Sequence, residues 1–181
     1  MSREIIDKII KKYQTNKDFY LGEIVTIAEH MIQTAMLAEK NNSPQSLICA
    51  CLLHDIGHFI IQDPDQLVST SVDGKHEDIA FNFLKNYFIP KVTGPIKLHV
   101  NAKRYLCREK SYYNLLSKAS KVSLELQGGK MNNDEAQKFV LLKHHKDAIT
   151  LRKYDDEGKI PNMKIKNIND YKELIISHLL N

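Results

Sequence analysis

An apolar run that stops abruptly at His54-Asp55 constrains this chain more than any other feature of it. Residues 44–54 predict a helix that is apolar on nearly all sides (Leu47, Ile48, Cys49, Ala50, Cys51, Leu52, Leu53), which places it at the centre of a core. It runs directly into His54-Asp55-Ile56-Gly57-His58. A carboxylate beside an imidazole at the end of a buried helix is costly unless something positive lies between them. A metal ion is the simplest such partner. His54 offers it a neutral nitrogen, and Asp55 offers anionic oxygens that can bridge two cations.

The rest of the chain predicts more helices and almost no strand, so the expected class is all-α. A first helix covers residues 4–13. A second runs from Ile24 to Lys40, with Ile24, Ile27, Ala28, Met31, Ala35 and Leu37 close to helical spacing. Asn41-Asn42-Ser43-Pro44 stops it and starts the next helix, with Ser43 as the cap and Pro44 at the first helical position. Residues 59–74, with Pro64 and Gly74, predict a surface loop. Further helices are expected over 76–87, 94–106 after a break at Pro90, 112–125, 134–146, 146–156 and 169–180, with Gln127-Gly128-Gly129-Lys130 as a turn. No repeat, linker or low-complexity tract divides the chain, so residues 1–181 are expected to form one domain.

Bulk properties narrow the function. A net charge of +4 with dispersed Lys and Arg argues against a dedicated nucleic-acid binder and suits a small anionic ligand. No apolar run approaches a membrane span, and Met1-Ser2-Arg3-Glu4 opens no signal-peptide segment. Cys49, Cys51 and Cys107 are odd in number and unpatterned, which fits buried thiols in a reducing, cytoplasmic setting.

His30, in the middle of an apolar helix, would alone be a core histidine. Isolated histidines recur, however, on helix after helix: His54 with Asp55, then His76, then His99. Helical bundles build metal sites in this way. Four imidazoles and a carboxylate exceed one closed zinc site and suit a two-metal centre bridged by Asp55. Nitrogen and oxygen donors without thiolate favour iron, manganese or a similar metal. A second carboxylate is needed, and Arg152-Lys153-Tyr154-Asp155-Asp156 offers two, between which composition does not choose. His144, His145 and His178, in Lys-rich or terminal contexts, are expected to be solvated.

The series His30, His54-Asp55, His76, His99, Asp155 resembles the HD-domain superfamily of helical metalloproteins, most of them phosphohydrolases. Longer strings resemble a smaller branch, the PhnZ-type phosphonate oxygenases. They are Tyr20-Leu21-Gly22-Glu23, His99-Val100-Asn101-Ala102-Lys103-Arg104-Tyr105-Leu106, Leu116-Ser117-Lys118-Ala119-Ser120, Leu126-Gln127-Gly128-Gly129 and Leu151-Arg152-Lys153-Tyr154-Asp155. The resemblance implies two iron ions, Fe(II)/Fe(III), held by His30, His54, Asp55, His76, His99 and Asp155, with Asp55 bridging. It further implies that Tyr20 occupies a metal position until substrate arrives and that Glu23 meets a substrate amine. His58, Lys103, Ser120 and Arg152 would surround the phosphonate.

Spacing is compatible with these roles: Lys103 lies one turn after His99, Arg152 one turn before Asp155, and Glu23 two turns before His30. By residue type alone, Lys103-Arg104 and Arg152-Lys153 would be solvated faces, Tyr20 a packed aromatic, Ser120 a cap and Glu23 a first-turn acid.

The implied reaction is cleavage of the carbon–phosphorus bond of a small 1-hydroxyalkylphosphonate, such as 2-amino-1-hydroxyethylphosphonate. O2 would be the co-substrate, and phosphate and a carboxylic acid the products. The alternative is a metal-dependent phosphohydrolase of nucleotides or phosphomonoesters using the same six ligands; Tyr20 and Glu23 speak against it. A non-catalytic ligand-binding module ranks last, because every expected ligand is present.

Overall fold

The structure, a computed structural model, describes residues 2–20, 23–60 and 75–180. Leu21, Gly22 and most of the predicted 59–74 loop therefore lie outside the described residues. Among those described, the chain is all-α, with two isolated backbone bridges and no strand. The helices are α1 (Ser2–Thr15), α2 (Ile27–Lys40), α3 (Gln45–Leu53), α4 (His76–Leu84), α5 (Pro90–Leu106), α6 (Lys110–Leu115), α7 (Lys118–Leu126), α8 (Asn133–Val140), α9 (His145–Glu157) and α10 (Lys172–Ile176). Two 3-10 turns, Ile56–Phe59 and Ile168–Tyr171, complete the path.

Helix α3 is the hub. Every residue from Leu47 to Leu53 is buried, as the all-round apolar pattern requires. Each fully buried Leu or Ile there contributes roughly 2 kcal/mol of transfer free energy. Helices α2, α5 and α9 pack around α3, and α4 packs on α5. On the far side α1 lays Ile5, Ile6, Ile9 and Tyr13 into the same core, and Tyr171 and Ile175 close it. Helices α6, α7 and α8 flank α5 and bring two smaller apolar clusters, around Phe139 and around Leu124.

Local chemistry moves several helix ends from their expected places. Helix α2 begins at Ile27, because Thr26 and Glu29 form a reciprocal capping box: the Glu29 amide donates to Thr26 Oγ1 and the Thr26 amide to Glu29 Oε2. Ile24 therefore falls outside the helix and is 76% exposed. Pro44, not Ser43, caps α3; the Ser43 hydroxyl pairs instead with that of Tyr154 at 3.1 Å. Pro90 opens α5 instead of breaking the chain before it, since the first helical position needs no amide hydrogen.

The predicted 112–125 helix is two, α6 and α7, separated where Ser117 caps the second. The one over 134–146 stops at Val140 and restarts at His145. The last, over 169–180, shortens to a 3-10 turn and α10, after which Leu179 bridges to Phe88. That bridge buries His178, whose Nδ1 meets the Leu174 carbonyl at 2.8 Å, so His178 is not solvated. His144 is also half-buried: its ring covers Gly94, where an added Cβ would come within 2.2 Å.

Gly57, inside the His54-Asp55-Ile56-Gly57-His58 string, packs directly on α4. A Cβ there would stand 2.0 Å from the His76 backbone carbonyl oxygen. Gly57→Ala must push the start of α4 away from the end of α3. The expected cost is about 1–3 kcal/mol of stability, read as a lower urea midpoint with unchanged slope.

Candidate metal centre

Five helices deliver one or two donors each to a single buried point. His30 comes from the middle of α2, His54 and Asp55 from the C-terminal end of α3, and His76 is the first residue of α4. His99 lies on α5 and Asp155 on α9. All six are buried. They form two triads, His30–His54–Asp155 and Asp55–His76–His99, each with donor atoms within 4.8 Å of one another.

Asp55, a member of the second triad, also faces the first. Its Oδ1 lies 3.4 Å from Nε2 of His76 and 3.4 Å from Nε2 of His99. Its Oδ2 lies 3.4 Å from Nε2 of His54 and 3.7 Å from Nε2 of His30. The carboxylate is 1% exposed, yet neither oxygen accepts a hydrogen bond.

The imidazoles are oriented from behind. Nδ1 of His30, His54 and His99 meets the backbone carbonyls of Gly158, Cys51 and Ile96 at 2.9, 2.8 and 2.7 Å. A carbonyl only accepts, so each Nδ1 carries the hydrogen and each Nε2 presents a lone pair. The Nε2 atoms converge: those of His30 and His54 are 3.2 Å apart, and that of His99 lies 3.0 Å from Nε2 of His76. Facing lone pairs repel unless a proton or a cation lies between them. Donors at right angles on ~2.1 Å bonds are ~3.0 Å apart, so the residues present fit one metal ion per triad.

The rear supports include residues the sequence did not single out. Gln33 clamps the chain after α9, accepting from the Ile160 amide at 2.8 Å and donating to its carbonyl at 2.9 Å. That clamp holds Gly158 against α2, where a Cβ would meet Thr34 Oγ1 at 2.6 Å.

A polar wall adjoins the His30–His54–Asp155 triad. Arg152 Nη1 is 2.7 Å from Asp155 Oδ2, and its Nη2 pairs with Asp156, which also accepts from the Tyr112 hydroxyl. Arg152 Nε is buried without a partner. Asp156 thus turns away from the triads and Asp155 turns into them.

Lys159, also not foreseen, lies 3.7 Å from Asp155 Oδ1 and 4.7 Å above the Tyr20 ring. Tyr20 packs on His30, with ring centroids 4.6 Å apart, and His58 stacks on His76 at 4.4 Å. Lys103, on α5, reaches Ser123 and Gln127. Ser120, buried in the first turn of α7, uses its backbone to bind Ser117 and Ser123.

Glu23 differs from expectation. It precedes α2, so it does not share a helical face with His30, and its carboxylate accepts from the Ser117 hydroxyl at 2.8 Å. The Thr26 cap is the reason.

Burial and charge set the protonation states. Burial works against the Asp155 carboxylate, but Arg152 and Lys159 hold its pKa well below the usual range. Burial also opposes ionised Asp55, and the surrounding imidazoles overcome it. Tyr20 is kept a neutral phenol by burial and by the charges of Asp55 and Asp155. Burial and the charge of Arg152 push Lys103 down to about 7.

Such a bundle, with two buried nitrogen–oxygen triads side by side that could each hold a metal ion, is of the HD type. The HD-domain family model matches residues 27–165, and the chain belongs to that family, in the branch of the PhnZ-type oxygenases. It is 42% identical over 146 residues (80% of this chain, 74% of the relative) to a 1-hydroxy-2-(trimethylamino)ethylphosphonate dioxygenase, glycine-betaine-forming, of Leisingera caerulea. It is 38% identical over 170 residues (93% and 85%) to hydroxymethylphosphonate dioxygenase of Gimesia maris. An uncharacterized protein of Acanthamoeba polyphaga mimivirus is 35% identical over 178 residues (96% and 81%). Among the described residues no helix is long and apolar enough to cross a membrane.

Two outcomes are expected. Asp55→Ala removes the one carboxylate that faces the imidazoles of both triads, so metal analysis should find the variant stripped of bound metal; full occupancy would show that Asp55 does not bridge. The metal-free protein should also lose stability as pH falls. Burial holds His54 down at about 4, and His58 and His76 below the ordinary 6.5, so unfolding takes up protons in that window. Their contribution is present above 6.5 and is lost toward 4. His99 is raised, because Asp55 overcomes its burial, and works in the opposite sense. With three groups against one, the urea midpoint of chelator-treated protein should fall between pH 6.5 and 4.

Proposed function

We propose that this chain is an O2-dependent oxygenase that splits the carbon–phosphorus bond of a small 1-hydroxyalkylphosphonate, giving phosphate and a carboxylic acid. The observation that carries the reading is a two-triad centre with an anion-binding wall beside it, in a chain 38–42% identical to two proteins named as phosphonate dioxygenases. His30, His54 and Asp155 would hold one iron ion, His76 and His99 the other, and Asp55 would join both. When bound, the iron pair in the Fe(II)/Fe(III) state supplies the activation of O2.

The chain's own residues position the substrate and manage its charge. Arg152, whose Nη1 and Nη2 are held by Asp155 and Asp156, offers its buried, unpartnered Nε–H, and Lys103 a point charge; together they suit a phosphonate dianion. Ser120 and His58 complete that subsite in this reading. Tyr20, neutral and packed on His30, fills the space beside the first triad until substrate displaces it. Glu23 gives up the Ser117 hydroxyl to meet a substrate amine where there is one. The reaction balances as R–CH(OH)–PO3H2 + O2 → R–COOH + H3PO4: one C–H and one C–P bond break, and carbon and phosphorus each gain one oxygen.

The test is an oxygen electrode paired with a phosphate assay on iron-loaded protein. The substrates are 2-amino-1-hydroxyethylphosphonate, hydroxymethylphosphonate and the trimethylated analogue. One O2 should disappear per phosphate released for at least one of them, and phosphate release should cease without air. Equal phosphate release under nitrogen, or from a simple phosphomonoester, would make the protein a phosphohydrolase.

A further inference from the structure

The Leu126-Gln127-Gly128-Gly129 string has no role in the chemistry above, and the structure supplies one. Helix α7 ends there with Gln127 at its C-terminal cap, and Gly128 and Gly129 follow at φ +94° and +69°, a backbone region that favours glycine. The two dihedrals reverse the chain so that the Gly129 amide reaches back to the Leu124 carbonyl at 2.8 Å. Arg104 grips the same turn from α5: Nε donates to the Gly129 carbonyl at 2.9 Å, and Nη2 pairs with Glu135 at 2.6 Å. The turn is thus locked against α5 one residue from Lys103.

Lys103 uses the turn differently. Its Nζ donates to Ser123 Oγ at 2.7 Å and to Gln127 Oε1 at 3.1 Å. Ser123 and Gln127 are four apart on α7 and share a face toward α5. The Ser123 hydroxyl donates to the Ser120 carbonyl at 3.2 Å, which leaves its lone pairs for Lys103. Both partners are uncharged acceptors, and among the described residues no carboxylate lies within ion-pair distance of Nζ. An ammonium has three N–H groups, and two are taken.

We infer that Ser123 and Gln127 are positioning residues: an uncharged, two-acceptor cradle that fixes the Lys103 ammonium and leaves its third N–H and its whole charge for an anionic oxygen of the substrate. A carboxylate in either place would hold the lysine equally well but cancel the charge. Neutral acceptors hold it and leave a buried cation uncompensated, which is costly until an anion arrives. Burial and the neighbouring Arg152 depress Lys103 to about 7, and an anion bound beside it would draw it back toward the ammonium. This inference rests on the phosphonate reading of the centre.

Gln127→Glu separates a cradle from a mere structural clip. It keeps the contact and adds an ion pair, so the melting temperature and iron content should hold or rise. Binding of methylphosphonate to the anaerobic holoenzyme, measured by calorimetry, should weaken by about tenfold, the worth of one charge-assisted hydrogen bond. Gln127→Met, which drops the acceptor but keeps the bulk, should weaken binding too, and both variants should raise KM far more than they lower kcat. Wild-type affinity in Gln127→Glu, with the wild type itself turning over phosphonate, overturns the cradle and leaves the oxygenase reading standing. Weakened methylphosphonate binding in the variants of a wild type that consumes no O2 upholds the cradle and overturns the oxygenase reading. Failure of the wild type to bind methylphosphonate overturns both.

Discussion

A single buried carboxylate with no hydrogen-bond donor organises this molecule. Both Asp55 oxygens are sealed from solvent, and each faces a separate pair of imidazole nitrogens, three of which present lone pairs. The three Nδ1–H groups with carbonyl partners point outward from the centre and do not relieve that arrangement; a proton on His99, which Asp55 favours, relieves only part of it. Cations between the donors relieve it at once, turning four repulsive contacts into coordination. The polarity of the centre follows from the backbone: three carbonyls fix three tautomers, and the tautomers fix where positive charge must sit.

The same helices that supply donors supply the neighbouring cations. His99 and Lys103 are one turn apart on α5, while Arg152, Asp155 and Lys159 follow one another along α9 and its end. Rigid helices therefore set the distance from the two triads to the neighbouring cations, and neither can shift without the other. Tyr20 and Glu23, by contrast, stand on non-helical chain before Thr26, where Tyr20 contacts the His30 ring and Lys159, its amide donates to the Val25 carbonyl, and Glu23 accepts from Ser117. Under the proposed function, recognition of the phosphonate end falls to the helices, and recognition of the other end to the non-helical chain before α2. Enzymes whose relatives accept different substituents on one reacting group have reason to divide labour in this way.

The features legible in the sequence have a signal independent of tertiary packing. Isolated histidines in apolar helices, and an apolar helix ending in His-Asp, bury polar groups that only a shared cation satisfies, and those residues do converge. Asp155 and Asp156 are not separable by composition, because neighbours on a helix point about 100° apart and only packing says which points inward. Arg152 and Tyr112 draw Asp156 aside. Glu23 departs from its expected geometry because two signals compete before α2. Apolar periodicity points to a start at Ile24, and the Thr26–Glu29 capping box, also present in the sequence as Thr-x-x-Glu, points to a start at Ile27; the box prevails. His178 reads as solvated from its place near the chain end, yet the Phe88–Leu179 bridge buries it.

Lys159, Gln127, Ser123 and Gln33 carry no signal at all as residue types. Polar side chains after a helix or near a glycine turn are usually solvated, and their roles arise only when separate helices meet. Their placement shows how this fold manages buried charge. Asp155 is offset by Arg152 and Lys159; Arg152 is in turn offset by Asp156; Lys103 alone is left with neutral partners. A wall in which every cation had its own carboxylate would bind no anion. A wall in which none did would not stay folded at neutral pH. Leaving one ammonium with neutral partners, and one guanidinium N–H unpaired, satisfies both limits, and under the proposed function that residual charge is what the phosphonate dianion meets.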